Sequence, residues 1–310
     1  MKPIGVHYDS CYERHDTGPG HPESAARYRV LREKLEDLPE DIVRLPGRRA
    51  TVAEVLPAHE AYYHDLVYRD VISCADQLRT GDTAICEDSY DVALEATGAV
   101  IEAVDVVMRG EVSRAFCAVR PPGHHATASR GMGFCVFNHV AIAANHLRRV
   151  HGLKRIAIVD WDVHHGNGTE AIFEADPGVF YVSLHEGNIY PYTGRAGDRG
   201  CGPGEGFTLN LPLPHGSDGS VALAAWDAHA APALDAFQPE FVLVSAGFDA
   251  RKDDPLGGLR WDDETFAGFT RRVVSLAEAH AQGRVVSSLE GGYHPPGLAS
   301  AAVAHVMALR

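Results

Sequence analysis

Five short runs of apolar and largely β-branched residues constrain this chain most: Ala115 to Val119, Ile156 to Val159, Val179 to Leu184, Phe241 to Ser245 and Val285 to Leu289. Each breaks off abruptly into a polar or glycine-rich segment. Their apolar residues are consecutive rather than alternating, so both faces of each strand need covering, as in a parallel sheet buried between layers. Between them lie Ala-rich stretches with helical spacing, Ser89 to Arg109, Phe137 to Val150, Ser220 to Phe237 and Asp262 to Ala281. Strand alternating with helix gives an α/β fold. Helix starts are marked by Ser24 after Pro22, by Asp218 and Ser220, and by the acids of Trp261-Asp262-Asp263-Glu264. No repeat or low-complexity segment interrupts the pattern, and Pro191 to Gly206 reads as a long functional loop rather than a linker. A single domain over residues 1–310 is expected.

Charge narrows the function. Lys and Arg number 28 against 42 Asp and Glu, a formal charge of −14, with no basic run longer than a doublet such as Arg48-Arg49. Direct nucleic-acid binding is not expected. An acidic field either favours cationic substrates such as basic peptides and polyamines or simply keeps the chain soluble. The six cysteines contain no C-x-x-C pair, so neither a disulfide framework nor a Cys-based zinc site is indicated, and a reducing compartment fits. Met1 to Asp9 lacks an apolar signal region, and no stretch reaches the roughly 20 apolar residues of a membrane helix. A cytoplasmic protein without membrane contact is expected.

In an open parallel sheet, ligands bind beyond the carboxyl ends of the strands. The residues that follow these strands are unusual: Arg120-Pro121-Pro122-Gly123-His124-His125, Asp160 to Gly168, Ala246-Gly247-Phe248-Asp249 and Glu290-Gly291-Gly292-Tyr293. Asp160, Asp162 and His164 stand at i, i+2 and i+4, which an extended chain places on one side, facing a single cation. Asp249, from another strand end, is the best remaining ligand. An imidazole with carboxylates suits Zn²⁺ or Fe²⁺ with a position left open for water. A lone Asp or His at a strand end usually serves a turn or a cap; the combination is what is specific.

These segments resemble the histone-deacetylase family, in particular its class II and bacterial branches. The resemblance rests on R-P-P-G-H-H (Arg120 to His125), G-F-C-x-F-N (Gly133 to Asn138), D-W-D-V-H-H-G-N-G (Asp160 to Gly168), S-A-G-F-D-A (Ser245 to Ala250), D-P-L-G-G (Asp254 to Gly258) and E-G-G-Y (Glu290 to Tyr293), with H-P-E at His21 to Glu23. Their order and spacing match, from about Ile4 onward. The resemblance implies the arginase/deacetylase fold, an eight-stranded parallel sheet flanked by helices, with one catalytic divalent metal. Arginases carry two manganese ions on additional carboxylates, which the His124-His125 doublet lacks.

The same resemblance implies roles. Asp162, His164 and Asp249 would hold the metal, Zn²⁺ or Fe²⁺. His125 would be the general base and His124 its electrostatic partner, oriented by Asn167 and Asp160 respectively. Tyr293 would donate to the oxyanion, and Gly133, Phe134 and Tyr190 would line a substrate tunnel, Tyr190 replacing a more usual Phe. Arg27 matches an internal-channel arginine that could stabilise departing acetate. Structural K⁺ would lie at Asp160, Asp162, His164, Ser183 and Leu184, with a second site around Phe173, Asp176 and Val179. Leu256, at the rim, stands where a polyamine-selective branch carries Glu. The expected substrate is an acyl-lysine peptide. A small N-acyl amine such as an acetylpolyamine, and an idle binding module, remain as alternatives, and the oligomeric state is left open.

Overall fold

A computed structural model describes residues 2–310. Eight strands, β1 (Ile4–His7), β2 (Ile42–Arg44), β3 (Arg114–Cys117), β4 (Ile156–Asp160), β5 (Val179–Glu186), β6 (Thr208–Leu213), β7 (Phe241–Ala246) and β8 (Val285–Leu289), form one sheet in the order β2-β1-β3-β8-β7-β4-β5-β6. Every pairing is parallel. The connections include the helices α1 (Ala25–Glu36), α2 (Val52–Val55), α3 (Ala61–Ile72), α4 (Ser89–Arg109), α5 (His139–Arg149), α6 (Asn167–Phe173), α7 (Gly219–Ala225), α8 (Ala231–Phe237) and α9 (Asp263–His280), and α10 (Pro295–Ala308) ends the chain. Parallel neighbours require such crossovers.

All five apolar runs are strands, within a few residues of their expected bounds, and β3, β4, β5, β7 and β8 are buried along their whole length. The three further strands lie toward the edges. β2 has only three residues and is half exposed, while β6 contains Pro212, which an edge strand tolerates because one side needs no partner. The expected helix from Ser220 to Phe237 is helical throughout but contains a π-turn at Trp226–Ala230 between α7 and α8. Asp218 caps α7 by accepting from the amides of Ser220 and Val221, Asp262 caps α9 through Thr265, and Ser24 caps α1 through Arg27.

The strand order sets the location of the chemistry. After β3 the chain crosses over the positions of β8 and β7 to lay down β4, and fills those two central places last. The carboxyl ends of β3, β8, β7 and β4 are therefore neighbours around a switch of direction, where a crevice opens. Register brings them level: Cys117 lies beside Ser288, Ala246 beside Leu289, and Ser245 beside Asp160, whose other neighbour is Ser183. Among the described residues no helix is long and apolar enough to cross a membrane.

Candidate active site

Beyond Asp160 the chain leaves the extended conformation, and this separates the three residues that spacing alone placed together. The amide of Asp162 turns back to donate to Asp160 Oδ1 at 3.2 Å. Asp160 then faces His124, whose Nδ1 lies 3.0 Å from Asp160 Oδ2, and it takes no part in the cation-facing group. That group is Asp162, His164 and Asp249, whose ligand atoms all lie within 4.8 Å of one another. His164 Nδ1 stands 3.0 Å from Asp162 Oδ1 and 3.3 Å from Asp249 Oδ2.

The donor set fits a divalent cation. Asp249 Oδ2 is buried and has no hydrogen-bond partner, a costly state for a carboxylate oxygen unless a cation meets it. The remaining oxygens are fixed by backbone: Asp249 Oδ1 accepts from Val163 N at 2.8 Å and Asp162 Oδ2 from Gly291 N at 2.8 Å. Gly247 and Gly291 let the chain come this close, since an added Cβ would lie 2.1 Å from Asp162 Oδ2 and 2.0 Å from Asp249 Oδ2, respectively. Burial, then the charge of Asp162, pushes Asp249 above the usual carboxylate range. Burial also opposes ionisation of Asp162, but the imidazoles of His124 and His164 hold it below the usual carboxylate range. Two buried carboxylates and one imidazole converging in this way suit Zn²⁺ or Fe²⁺.

The adjacent histidines differ in their environments. Their rings lie 4.0 Å apart. Against the cost of burial, Asp160 and Asp162 hold His124 up to about 10, whereas burial and the charges of His124 and His164 press His125 well below its ordinary value. His125 Nδ1 meets Asn167 Oδ1 at 2.8 Å, which assigns the proton to Nδ1 and leaves Nε2 as an acceptor. Tyr181 adds its hydroxyl to Asp160 Oδ2 at 3.1 Å. The segment carrying both histidines is tied down by Glu290, which accepts from the amides of Gly123 at 2.7 Å and His124 at 3.1 Å. The motif E-G-G-Y assigns Glu290 no role of its own; besides the two amides it accepts from the Ser245 hydroxyl at 3.1 Å, and the amide partners leave no side-chain signature.

A cavity of about 250 Å³ leads to this group, lined by Asp82, His125, Gly133, Phe134, His164, Tyr190, Leu256 and Tyr293. Phe134 meets Tyr293 edge-on at 6.0 Å, and Tyr190 meets His125 edge-on at 5.3 Å. Gly133 adopts φ 56°, and an added Cβ would lie 2.3 Å from His125 Cδ2. Burial and the charge of Asp249 raise Tyr293 well above its ordinary value, so its hydroxyl stays a donor. Leu256 is 38% exposed at the rim. Sequence reasoning missed Asp82, whose Oδ1 accepts from Gly133 N at 2.7 Å; it lies far from every quoted motif, and only folding brings it to the cavity. A larger surface groove of about 580 Å³ beside Trp226 and Arg272 is lined by none of these residues.

Arg27 is 1% exposed. It donates to Glu23 at 2.9 and 3.2 Å and to the carbonyls of Gly292 (3.0 Å) and Glu290 (3.1 Å), with its guanidinium 5.2 Å from the Tyr293 ring centroid. Ser183 Oγ pairs with His185 Nδ1 at 2.8 Å, next to Leu184 and level with Asp160. In the other proposed potassium region, Asp176 N donates to the Phe173 carbonyl at 2.9 Å, Val179 N donates to the Asp176 carbonyl at 3.3 Å, and the Asp176 carboxylate pairs with Arg148.

The Histone deacetylase domain family matches residues 21–309. A "Probable deacetylase" of Archaeoglobus fulgidus is 37% identical over 297 residues, covering 94% of this chain and 82% of that protein. The "Histone deacetylase-like amidohydrolase" of Pseudomonas aeruginosa is 38% identical over 279 residues, 88% of this chain and 73% of that one. Among solved structures, the crystal structure of the HDA15 HD domain superposes with a TM-score of 0.93 at 32% identity, covering 100% of this chain and 90% of that one.

Proposed function

The chain belongs to the histone deacetylase family and is a hydrolase of the deacetylase and amidohydrolase kind; on that footing we propose that it hydrolyses the amide of acetyl-lysine or a related N-acyl amine with one divalent metal. The observation that carries this reading is the unpartnered Asp249 Oδ2, buried beside Asp162 and His164 at a narrow cavity that also presents Tyr293 and His125. Asp162, His164 and Asp249 would hold the metal, Zn²⁺ or Fe²⁺. Such an ion supplies Lewis acidity, polarising an amide carbonyl and lowering the pKa of a water.

The chain's own groups do the rest. His125, neutral and held by Asn167, accepts the proton of the water whose oxygen bonds to the carbonyl carbon. His124, kept charged by Asp160, steadies the negative charge that develops, and Tyr293 donates its hydroxyl to the former carbonyl oxygen. When the C–N bond breaks, the proton on His125 passes to the departing amine, giving a carboxylic acid and a free amine. Phe134 and Tyr190 enclose an aliphatic stem. Arg27, packed beneath the Tyr293 ring, holds the Gly292 and Glu290 carbonyls and stands where departing acetate would meet a cation. We assign structural K⁺ to the neighbourhood of Asp160, Asp162, His164, Ser183 and Leu184, with the Phe173, Asp176 and Val179 turn as a second place, treat residues 1–310 as one catalytic domain, and place the protein in the cytoplasm without nucleic-acid contact.

Asp82 favours a second reading of the substrate. A carboxylate lining the cavity attracts an amine with another ammonium, so a small acetylpolyamine competes with an acyl-lysine chain. The test is turnover of an acetyl-lysine peptide, N-acetylputrescine and N⁸-acetylspermidine, by chelated enzyme and after Zn²⁺ or Fe²⁺ is restored. Metal-restored turnover of the peptide, lost in Asp249→Asn, supports the proposal. A preference of tenfold or more for the polyamines replaces it with the second reading, and metal-independent turnover overturns both.

A further inference from the structure

A second set of metal-ligating side chains lies outside the active site. Asp105, near the carboxyl end of α4, receives the Nε2 atoms of His146, in the last turn of α5, and of His151, just beyond it, both at 2.7 Å from the same oxygen, Oδ1. Their ligand atoms all lie within 4.8 Å of one another. α4 feeds the amino end of β3 and α5 feeds the amino end of β4, so the cluster sits at the foot of the sheet, opposite the candidate catalytic group.

We propose that Asp105, His146 and His151 form a second, structural site for a borderline divalent cation such as Zn²⁺, clamping α4 to the α5–β4 turn. Two imidazoles and one carboxylate are the ligand types zinc prefers, and three protein ligands leave a fourth position for water. The side chains are partly open, 20% for Asp105, 9% for His146 and 20% for His151, so an ion can reach them while the helices hold them in place. Ligands about 2.0–2.2 Å from a tetrahedral zinc stand roughly 3.3–3.6 Å apart. The ring nitrogens therefore need to move out by less than about 1 Å, within the reach of small side-chain rotations. Burial opposes ionisation of Asp105, yet the neighbouring imidazoles hold its carboxyl below the usual carboxylate range, so it is offered to a cation as a carboxylate. Arg48, the cation whose field reaches Asp105, is tied in a fork to Glu54 at 3.0 and 2.6 Å.

The experiment counts zinc bound to the full chain after equilibration with excess Zn²⁺ and gel filtration, comparing wild type with Asp105→Asn, His151→Ala and the more conservative His146→Gln. Each variant is expected to carry one equivalent fewer than wild type, to keep its acetyl-lysine turnover within about twofold, and to show a smaller rise in unfolding temperature on adding Zn²⁺ than the wild type does, because only the group containing Asp249 is left to bind it. Asp249→Asn, which disables the catalytic group, is expected to retain the distal equivalent, so the two metal assignments fail separately. Equal zinc content in wild type and in every folded variant overturns the proposal, and so does a wild type that binds zinc only at the group containing Asp249.

Discussion

Replacing Gly133 with Ala tests the active-site reading through one added carbon. The new Cβ would stand 2.3 Å from His125 Cδ2 and 2.7 Å from Cγ, whereas ordinary van der Waals contact begins at 3.4 Å. Something must give by about 1.1 Å to reach ordinary contact. Gly133 is held by its amide on Asp82, and His125 is packed against His124 and Tyr190 and pinned to Asn167. The imidazole, held through its Nδ1 hydrogen bond to Asn167, is the part that moves. A displacement near 1 Å of a group acting on the reacting atoms costs about 10²-fold in rate, so kcat is expected to fall by about that factor. The left-handed backbone at φ 56° adds about 1–2 kcal/mol of destabilisation once a Cβ is present. Metal content should be unchanged, because none of the atoms crowded by the new carbon belongs to Asp162, His164 or Asp249. Steady-state turnover of an acetyl-lysine peptide, urea unfolding and elemental analysis together check the three parts. Turnover within threefold of wild type although His125 is displaced by about 1 Å in a crystal structure of the variant would refute the assignment of His125 as the positioned base.

Tyr293→Phe should retain fold and metal while kcat falls by about 10²–10³, the usual loss for one oxyanion donor, with KM changing much less; unaltered kcat would remove Tyr293 from the mechanism. Leu256→Glu places a carboxylate at the rim, where Coulomb attraction to a distal ammonium is worth on the order of 1–4 kcal/mol depending on the effective dielectric, so kcat/KM for acetylpolyamine relative to peptide should rise. Asp82→Asn should shift that ratio the other way; no change in either variant would mean that rim charge does not govern choice of substrate. Stability should also depend on His59, whose Nδ1 donates to the Thr127 carbonyl while its Nε2 accepts from Asn138 N, each at 2.9 Å. Burial holds this imidazole down to about 3. An unfolded chain binds its proton near 6.5, so the stability is complete above that pH and is lost as pH falls toward 3. By pH 5 the loss is about 2 kcal/mol. His59→Gln, which keeps a donor and an acceptor without titrating, should lose correspondingly less between pH 7.5 and 5 in urea titrations.

The sequence by itself determined the layer architecture and most of the chemistry. Apolar residues on both faces of five runs leave no arrangement but a covered parallel sheet, and the dense motifs after β3, β4, β7 and β8 are legible because each is local in the chain. The half-exposed β2 and the Pro-bearing β6 escaped because edge strands need neither two apolar faces nor a full ladder. How the pieces divide their work cannot be read from spacing; the family resemblance alone implied it, and only the tertiary structure supplies its geometry. Spacing offered Asp160, Asp162 and His164 to one cation; the bend after β4 gives Asp160 to His124 and completes the group with Asp249, 86 residues further along than Val163, to whose amide it is bonded. Asp82, Glu290 as the tether of the histidine segment, and the Asp105 cluster were equally hidden. Their partners are distant residues or backbone atoms, and a contact of that kind comes into existence only when the sheet order and the helix ends bring the chain together.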